Sequence, residues 1–248
     1  MTSTRVVSLA PSATATLAAM GAADRLVGVT THCPDVASDP AVVGGWLTPD
    51  YDRVTALDPD LVCTSDALQD EVRDALRDRG LSVYHDDATT LSDVLDGFAD
   101  LGRAVGLPDA GERLAVDARE RLDRVAARVD DAARPVVYCE EWSDPPMAAG
   151  NWVPDVVAAA GGKYPFADAG ERSREVTRAA VERADPDHVV LHVCGHGTNV
   201  DAGRFHDRGW DVDAAVHVVD DAYLNRPAPT LLDGVDLLAD AFHGEGAT

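Results

Sequence analysis

One long segment without a strand constrains the fold of this chain more than any other feature. From Asp109 to about Ala133 the sequence is rich in Ala, Arg, Asp and Glu, and its apolar residues recur at helical spacing. These residues form one stripe: Leu114, Ala118, Leu122, Val125 and Val129. We therefore expect one long helix whose charged face is solvated, placed between two separately folded halves.

Short apolar runs alternate with helical segments on both sides of this helix. Predicted strands before it cover residues 5–9, 26–30, 61–64 and 81–84, and predicted helices cover residues 11–21, 52–57, 66–79 and 92–105. After Pro135 the alternation resumes, with strands at 135–139 and 217–219 among others. Strands that alternate with helices predict an α/β fold with parallel sheets.

The two halves also repeat one local pattern. Residues 56–62 (ALDPDLV) and residues 183–190 (RADPDHVV) both read as a helix end, an Asp-Pro-Asp turn and a buried strand. We therefore predict two related Rossmann-like lobes with parallel sheets, residues 1–108 and 134–248, bridged by one rigid helix over residues 109–133. A single continuous sheet is the alternative.

The charge balance narrows the possible partners. Among 248 residues there are 44 acidic and 21 basic residues, which gives a net charge of −23. Repulsion of this size opposes binding to nucleic acid and to anionic membranes. It also suggests a salt-adapted protein, whose stability should rise with salt concentration.

No apolar run approaches the ~18–20 residues that a membrane-spanning helix needs. The first predicted strand begins so close to Met1 that a signal peptide has no room. We therefore expect a cytoplasmic protein, or one on the extracellular face of the membrane if an export segment was removed. The four scattered cysteines are expected to be free thiols: Cys33, Cys63, Cys139 and Cys194.

Ligands of open α/β sheets bind beyond the carboxyl ends of the strands. The stretch EEWSDPPMAAGNWVP (residues 140–154) follows an apolar strand there and is expected to be a loop. If the halves face each other, such loops form two walls of a cleft that suits a large planar apolar ligand. The flat apolar side chains on these loops are Trp46, Trp142, Met147, Trp152 and Tyr223.

Some of these residues also have a purely structural interpretation, whereas Trp46, after Gly44 and Gly45, is the best candidate for ligand contact in the first half. Trp152 is expected to belong to the hydrophobic core, because the residues that follow it form the apolar first turn of a predicted helix. Ligand contact and packing are equally expected for Trp142 and Met147, and Arg226 either contacts a ligand or caps a carbonyl group.

His192, Cys194 and His196 are the candidate metal ligands. Alternation along a strand puts all three on the same side, and imidazole and thiolate suit zinc or copper. The H-x-C-x-H spacing matches no common structural zinc site, so a buried cysteine with ordinary histidines is favoured. The sequence has no P-loop, G-x-G-x-x-G, G-x-S-x-G or H-E-x-x-H motif.

Several longer motifs carry a resemblance to a known family. They are RVVSLAPSAT (5–14), LVGVT (26–30), LDPDLV (57–62), EWSDPPM (141–147), GNWVP (150–154), AGG (160–162), YLNRPAP (223–229) and LLDG (231–234). The chain resembles the substrate-binding proteins of ABC importers that have a helical backbone between two lobes, and within them the cobalamin-binding branch. The motifs of the first half are shared with receptors for siderophores and haem.

The resemblance implies a non-enzymatic, monomeric protein that needs no cofactor and binds a corrinoid in the cleft between its lobes. The implied ligand-binding residues are Pro11, Ser12, Trp46, Trp142, Pro146, Met147, Gly150, Tyr223 and Arg226. Asp70 or Glu71 is the implied contact with the membrane permease. Three alternatives stay open: a haem or iron-chelate binding protein, a metal-dependent enzyme built on His192, Cys194 and His196, and a partner-binding module that has lost its ligand.

Overall fold

The structure, a computed structural model, describes residues 4–244 and divides them into two compact units. The first unit comprises the chain up to Ala88 together with Ser92–Ala118, and the second comprises Thr89–Leu91 together with the chain from Arg119 onward. Helix α5 (Pro108–Val129) contributes its residues up to Ala118 to the first unit and its residues from Arg119 onward to the second. The long helix predicted between the halves is thus present, and it ends at Val129 rather than near Ala133.

The first unit is built on a five-stranded parallel sheet. Its strands are β1 (Val6–Ser8), β2 (Leu26–Val29), β3 (Ala41–Val42), β4 (Leu61–Ser65) and β5 (Val83–Asp86), in the order β3-β2-β1-β4-β5. The helices of this part of the chain are α1 (Pro11–Ala19), α2 (Tyr51–Ala56), α3 (Asp70–Arg77) and α4 (Leu91–Ala104). The strand order reverses between β1 and β4, which is the position where open α/β sheets bind ligands.

Apolar side chains cover both faces of this sheet. Val6 packs with Leu17 of α1 on one face, while the neighbouring Val7 packs with Val54 of α2 on the other. Successive side chains of a strand point to opposite faces, so a strand covered on both sides reads as a continuous apolar run. This is why the strands of the first unit were visible in the sequence.

The second unit contains a mixed sheet. Its strands are β6 (Val137–Ser143), β7 (Pro146–Ala148), β8 (Arg174–Glu175), β9 (His188–Leu191) and β10 (Ala215–Val218), in the order β10-β9-β6-β7-β8. Strands β6, β9 and β10 are parallel, but β7 and β8 run antiparallel to their neighbours. The remaining helices are α6 (Val153–Ala159), α7 (Arg178–Ala184), α8 (Gly203–His206) and α9 (Leu231–His243).

The antiparallel strands correct two sequence expectations. The second sheet is not wholly parallel, and the stretch 140–154 is not a loop, because β6 and β7 form a hairpin over most of it. Sequence patterns did not predict this hairpin because it contains two consecutive prolines, and proline is rare inside strands. Here Pro146 is the first residue of β7, a position where proline is tolerated.

Helix α5 is held in each unit by a different kind of contact. In the first unit it crosses α4 closely: a Cβ on Gly111 would lie 2.6 Å from the Phe98 carbonyl oxygen. In the second unit Arg121 of α5 pairs with Asp233 and Asp236 of α9, each at 2.7 Å. The buried positions of α5 follow one stripe: Gly111, Ala115, Ala118, Val125 and Val129.

None of the helices within residues 4–244 combines the length and the apolar composition that a membrane span requires. All four cysteines are free thiols, as expected.

Candidate functional site

The carboxyl edge of the first sheet is organised by one buried side chain, Gln69. Its Oε1 accepts a hydrogen bond from the Ser65 backbone N–H (2.7 Å) at the end of β4. Its Nε2 donates to the carbonyl oxygen of Trp46 (2.7 Å) and to that of Leu9 (3.3 Å). The chain segments that follow β1, β3 and β4 are therefore joined through one amide. Sequence analysis missed this residue, and its only signal was that it is the single glutamine of the chain.

Three predicted site residues of the first unit lie along this edge. Pro11 opens α1 and Ser12 follows it, while Trp46 lies in the turn after β3. The Ser12 hydroxyl and the Trp46 indole N–H are buried and have no hydrogen-bond partner within residues 4–244. A buried polar group without a protein partner is one that a bound ligand or an ordered water commonly satisfies.

Two exposed leucines are sequence neighbours of residues at this edge. Leu47 is 48% exposed and directly follows Trp46. Leu68 is 59% exposed and directly precedes Gln69, whose side chain bonds to Trp46. Sequence analysis did not single out either leucine, because an isolated exposed leucine carries no signal.

In the second unit the β6–β7 hairpin brings three predicted residues together. Trp142 lies opposite Met147, and Ser143 lies opposite Pro146. Trp142 is 46% exposed, and its indole N–H donates to the Asp144 carbonyl oxygen at 2.9 Å. The hairpin thus presents Trp142, Pro146 and Met147 as partly or fully exposed apolar surface.

A buried ion pair supports the base of this hairpin. The Glu140 carboxylate accepts both guanidinium hydrogen bonds of Arg208 (2.6 and 2.8 Å) and the hydroxyls of Tyr138 (2.9 Å) and Ser143 (2.7 Å). The side-chain hydrogen bond with Glu140 raises the pKa of Arg208. Glu140 is fully buried, so it holds the hairpin in place and cannot reach a substrate as an acid or base.

Gly150 and Trp152 face the interior of the second unit. A Cβ on Gly150 would lie 2.3 Å from the Glu171 carbonyl oxygen, so glycine is needed there for a close backbone approach and not to face a ligand. Trp152 is buried and donates to the Leu224 carbonyl oxygen at 2.8 Å. The interpretation of Trp152 as core is confirmed.

Hydrogen bonds tie the loop after β9 to the loop after β10. The Asp221 carboxylate accepts the backbone N–H groups of Gly195 and Gly197, each at 2.9 Å. The Asn225 side chain pairs with both the ring and the carbonyl oxygen of His192. Tyr223 and Arg226, the predicted site residues of this loop, are partly exposed beside them.

The structure does not place the candidate metal ligands His192, Cys194 and His196 on one side of a strand, and the favoured interpretation of Cys194 as a buried cysteine is wrong. Strand β9 ends at Leu191, so strand alternation does not apply to these residues. His192 is fully buried, whereas Cys194 and His196 are exposed. Burial lowers the pKa of His192 to about 4. Within residues 4–244 no group of three or more His, Cys, Asp or Glu residues is arranged to hold a metal ion.

The two predicted docking acids begin helix α3. Asp70 pairs with Arg73 at 2.6 Å and lies 3.4 Å from the Nε2 atom of His85. Glu71 is exposed on the same turn. Both carboxylates therefore lie near the end of β4, and Glu71 is the more accessible of the two.

Comparisons with known proteins agree with this geometry. The family model described as "Periplasmic binding protein" matches residues 6–208. A cobalamin-binding protein of Halobacterium salinarum is 28% identical over 255 residues, covering 96% of this chain and 69% of that protein.

Among solved structures, the periplasmic vitamin B12 binding protein BtuF of Vibrio cholerae matches with a TM-score of 0.77 and 24% identity, covering 97% of this chain and 96% of that chain. The periplasmic heme-binding protein RhuT from Roseiflexus sp. RS-1 matches with a TM-score of 0.80 and 24% identity, covering 98% of this chain and all (100%) of that chain. These similarities show the two-lobe α/β fold. Because the family model covers most of the sequence, this chain belongs to the periplasmic binding protein family and is a non-enzymatic solute-binding protein.

Proposed function

We propose that this protein binds a corrinoid, such as cobalamin or cobinamide. The observation that carries the proposal is apolar surface on each half of the predicted site: Trp46 in the first unit, and Trp142 with Met147 in the second. The names of the Halobacterium and Vibrio relatives support the choice of ligand. The proposed contact residues are Pro11, Ser12, Trp46, Trp142, Pro146, Met147, Tyr223 and Arg226.

Burial of apolar ring surface would drive binding, at roughly 25 cal/mol per Å² before the costs of association. Those costs fall when the contact residues are already fixed. Gln69 holds the Trp46 loop, and the Glu140–Arg208 ion pair supports the hairpin. Both contact surfaces are therefore largely preorganised.

Haem is the second candidate, since a heme-binding protein shares this fold. Both ligands present a planar macrocycle, but haem carries two anionic propionates while the side chains of cobalamin are mostly neutral amides. A chain with a net charge of −23 repels an anionic ligand more than a neutral one. The charge therefore favours the corrinoid.

Titration with cyanocobalamin tests the proposal. We expect quenching of tryptophan fluorescence with one binding site, confirmed by calorimetry in high salt, and a much weaker signal with hemin. Trp46→Ala and Trp142→Ala should each weaken binding at least tenfold, while the control Leu237→Ala, exposed on α9, should not change it. If the folded protein binds neither cobalamin nor cobinamide, the proposal is wrong. If the wild type binds them and Trp46→Ala leaves the affinity unchanged, the proposed set of contact residues is wrong.

The partner, the compartment and the domain limits are part of the same proposal. We propose a monomer with domains at residues 1–108, 109–133 and 134–248, which delivers its ligand to an ABC permease through Asp70 or Glu71. Delivery requires a location outside the membrane; within the cytoplasm the same protein would serve corrinoid salvage. Glu71→Ala should leave corrinoid affinity unchanged and reduce transport in cells that depend on this protein for corrinoid uptake.

A further inference from the structure

A cavity lies in the second unit between β8 and α7. Its volume is about 590 Å³, within the range of small-molecule sites. Phe166 and Val176, both buried, form an apolar floor that belongs to the hydrophobic core of this unit. Ala180 of α7 also lines the cavity.

Two arginines line the same cavity. Arg174 is on the edge strand β8 and Arg183 is near the end of α7, and both are exposed. Within residues 4–244 neither is paired with a carboxylate, although Arg178 of the same helix pairs with Glu182 at 2.6 Å. Acidic residues outnumber basic ones 44 to 21 in this chain, yet these two guanidinium groups are not engaged in internal ion pairs within the described part of the chain and can bind an anion.

The charge of the lining defines the ligand. Arg174 and Arg183 supply two positive charges, and Glu175 supplies one negative charge, which leaves a net charge of +1. A guanidinium group suits carboxylate and sulfonate oxygens because its N–H groups form a planar fork. The floor, in contrast, has no charge and suits a hydrocarbon body.

We propose that this cavity binds a monoanion with an apolar body, such as a medium-chain or aromatic carboxylate. The apolar part would lie on Phe166, Val176 and Ala180, and the anionic group would pair with Arg174 and Arg183. This site adjoins the proposed corrinoid contacts, because Glu175 lies opposite Met147 in the sheet and the Val176 backbone N–H donates to the Pro146 carbonyl oxygen at 3.0 Å, but the two sites share no lining residue.

The probe is 1-anilinonaphthalene-8-sulfonate, a monoanion whose fluorescence rises in apolar surroundings, with octanoate as the displacing ligand. At one fixed salt concentration we expect saturable binding that octanoate displaces and cyanocobalamin does not. The double variant Arg174→Gln/Arg183→Gln should weaken binding at least tenfold. The control Arg113→Gln/Arg124→Gln changes the net charge equally, on two exposed positions of α5, and should have no effect.

Ala180→Phe fills the floor without a change in charge and should block the probe even if the arginine double variant folds poorly. Cyanocobalamin affinity should stay unchanged in all three variants. The inference is overturned if the probe shows no saturable binding or if both arginine pairs affect it equally. It is also overturned if cyanocobalamin displaces the probe and Trp142→Ala abolishes its binding, since the probe would then report the corrinoid site.

Discussion

The buried side-chain amide of Gln69 connects three separate segments of the chain by hydrogen bonds. An amide side chain offers both acceptor and donor groups, so it can pair with an N–H group and with carbonyl oxygens at the same time. Here it pairs with Ser65, Trp46 and Leu9. A buried side chain of this kind fixes loop positions only while every partner is satisfied.

Gln69→Leu keeps the size of the side chain and removes its hydrogen bonds. We expect it to lower the free energy of unfolding by about 2–4 kcal/mol, because a backbone N–H group and two carbonyl oxygens lose their partner. Corrinoid affinity should also fall, since the Trp46 loop is released. Urea denaturation measures the first effect and the cobalamin titration the second. The control Asn199→Ala, at an exposed amide, should change neither.

His192 predicts a pH dependence of stability. Burial lowers its pKa to about 4 in the folded protein, against about 6.5 in the unfolded chain. The folded state therefore favours the neutral ring, and this contribution is complete above pH 6.5 and lost as the pH falls toward 4. Between pH 7 and pH 5 we expect His192 to account for about 2 kcal/mol of lost stability.

Denaturation of the wild type and of His192→Gln at both pH values measures this contribution. The variant should lose less stability than the wild type over the same interval. An equal loss in both proteins would show that His192 does not titrate as its burial requires.

At the scale of structural elements, the two Asp-Pro-Asp turns were predicted from the sequence as a repeat between the two halves. Asp58 and Asp185 both adopt a positive φ, of 47° and 46°. The last aspartate of each turn accepts the backbone N–H of the residue directly before the first strand of its unit. Asp60 accepts from Arg5 and Asp187 accepts from Val136, both at 2.7 Å. The sequence repeat between residues 56–62 and residues 183–190 is therefore also a repeat of hydrogen bonding.

The hairpin shows where sequence reasoning stopped. Strands covered on both faces have a continuous apolar pattern, and the long helix has a clear period, so both were predicted. The β6–β7 hairpin has charged, aromatic and proline residues in succession, and its strand pairing depends on partners elsewhere in the chain. Gln69 and Asn225 form their hydrogen bonds with segments that are distant in sequence. No local sequence pattern therefore predicts their roles.

The crossing of α4 and α5 gives a prediction for a pair of glycines. Gly111→Ala places a methyl group 2.6 Å from the Phe98 carbonyl oxygen, so the helices must separate, which we expect to cost about 1–3 kcal/mol. Gly97→Ala in α4 is the matched control, because its nearest atom, an Asp86 carboxylate oxygen, lies at an ordinary 3.4 Å. The control should be neutral or stabilising by up to about 1 kcal/mol. Thermal unfolding compares the two, and equal effects would exclude helix crossing as the cause.

For the whole molecule, a net charge of −23 sets the response to salt. Repulsion between carboxylates destabilises the compact state, and salt screens it, with a Debye length of about 3 Å at 1 M. We expect the midpoint of thermal unfolding to rise steadily from 0.1 M to 2 M KCl. Sucrose at equal osmolality controls for general exclusion of solutes and should raise the midpoint less. A midpoint that does not respond to KCl would contradict salt adaptation.

The antiparallel hairpin also separates ligand preference from the integrity of the fold. Strands β6, β9 and β10 form the parallel part of the second sheet, and β7 and β8 are added at one side of β6. The exposed Trp142 and the partly exposed Met147 can therefore be exchanged, or the turn between them lengthened, without altering the pairing of the parallel strands. Ligand specificity can therefore change during evolution through a few substitutions in the hairpin, while the parallel strands keep their sequence and pairing.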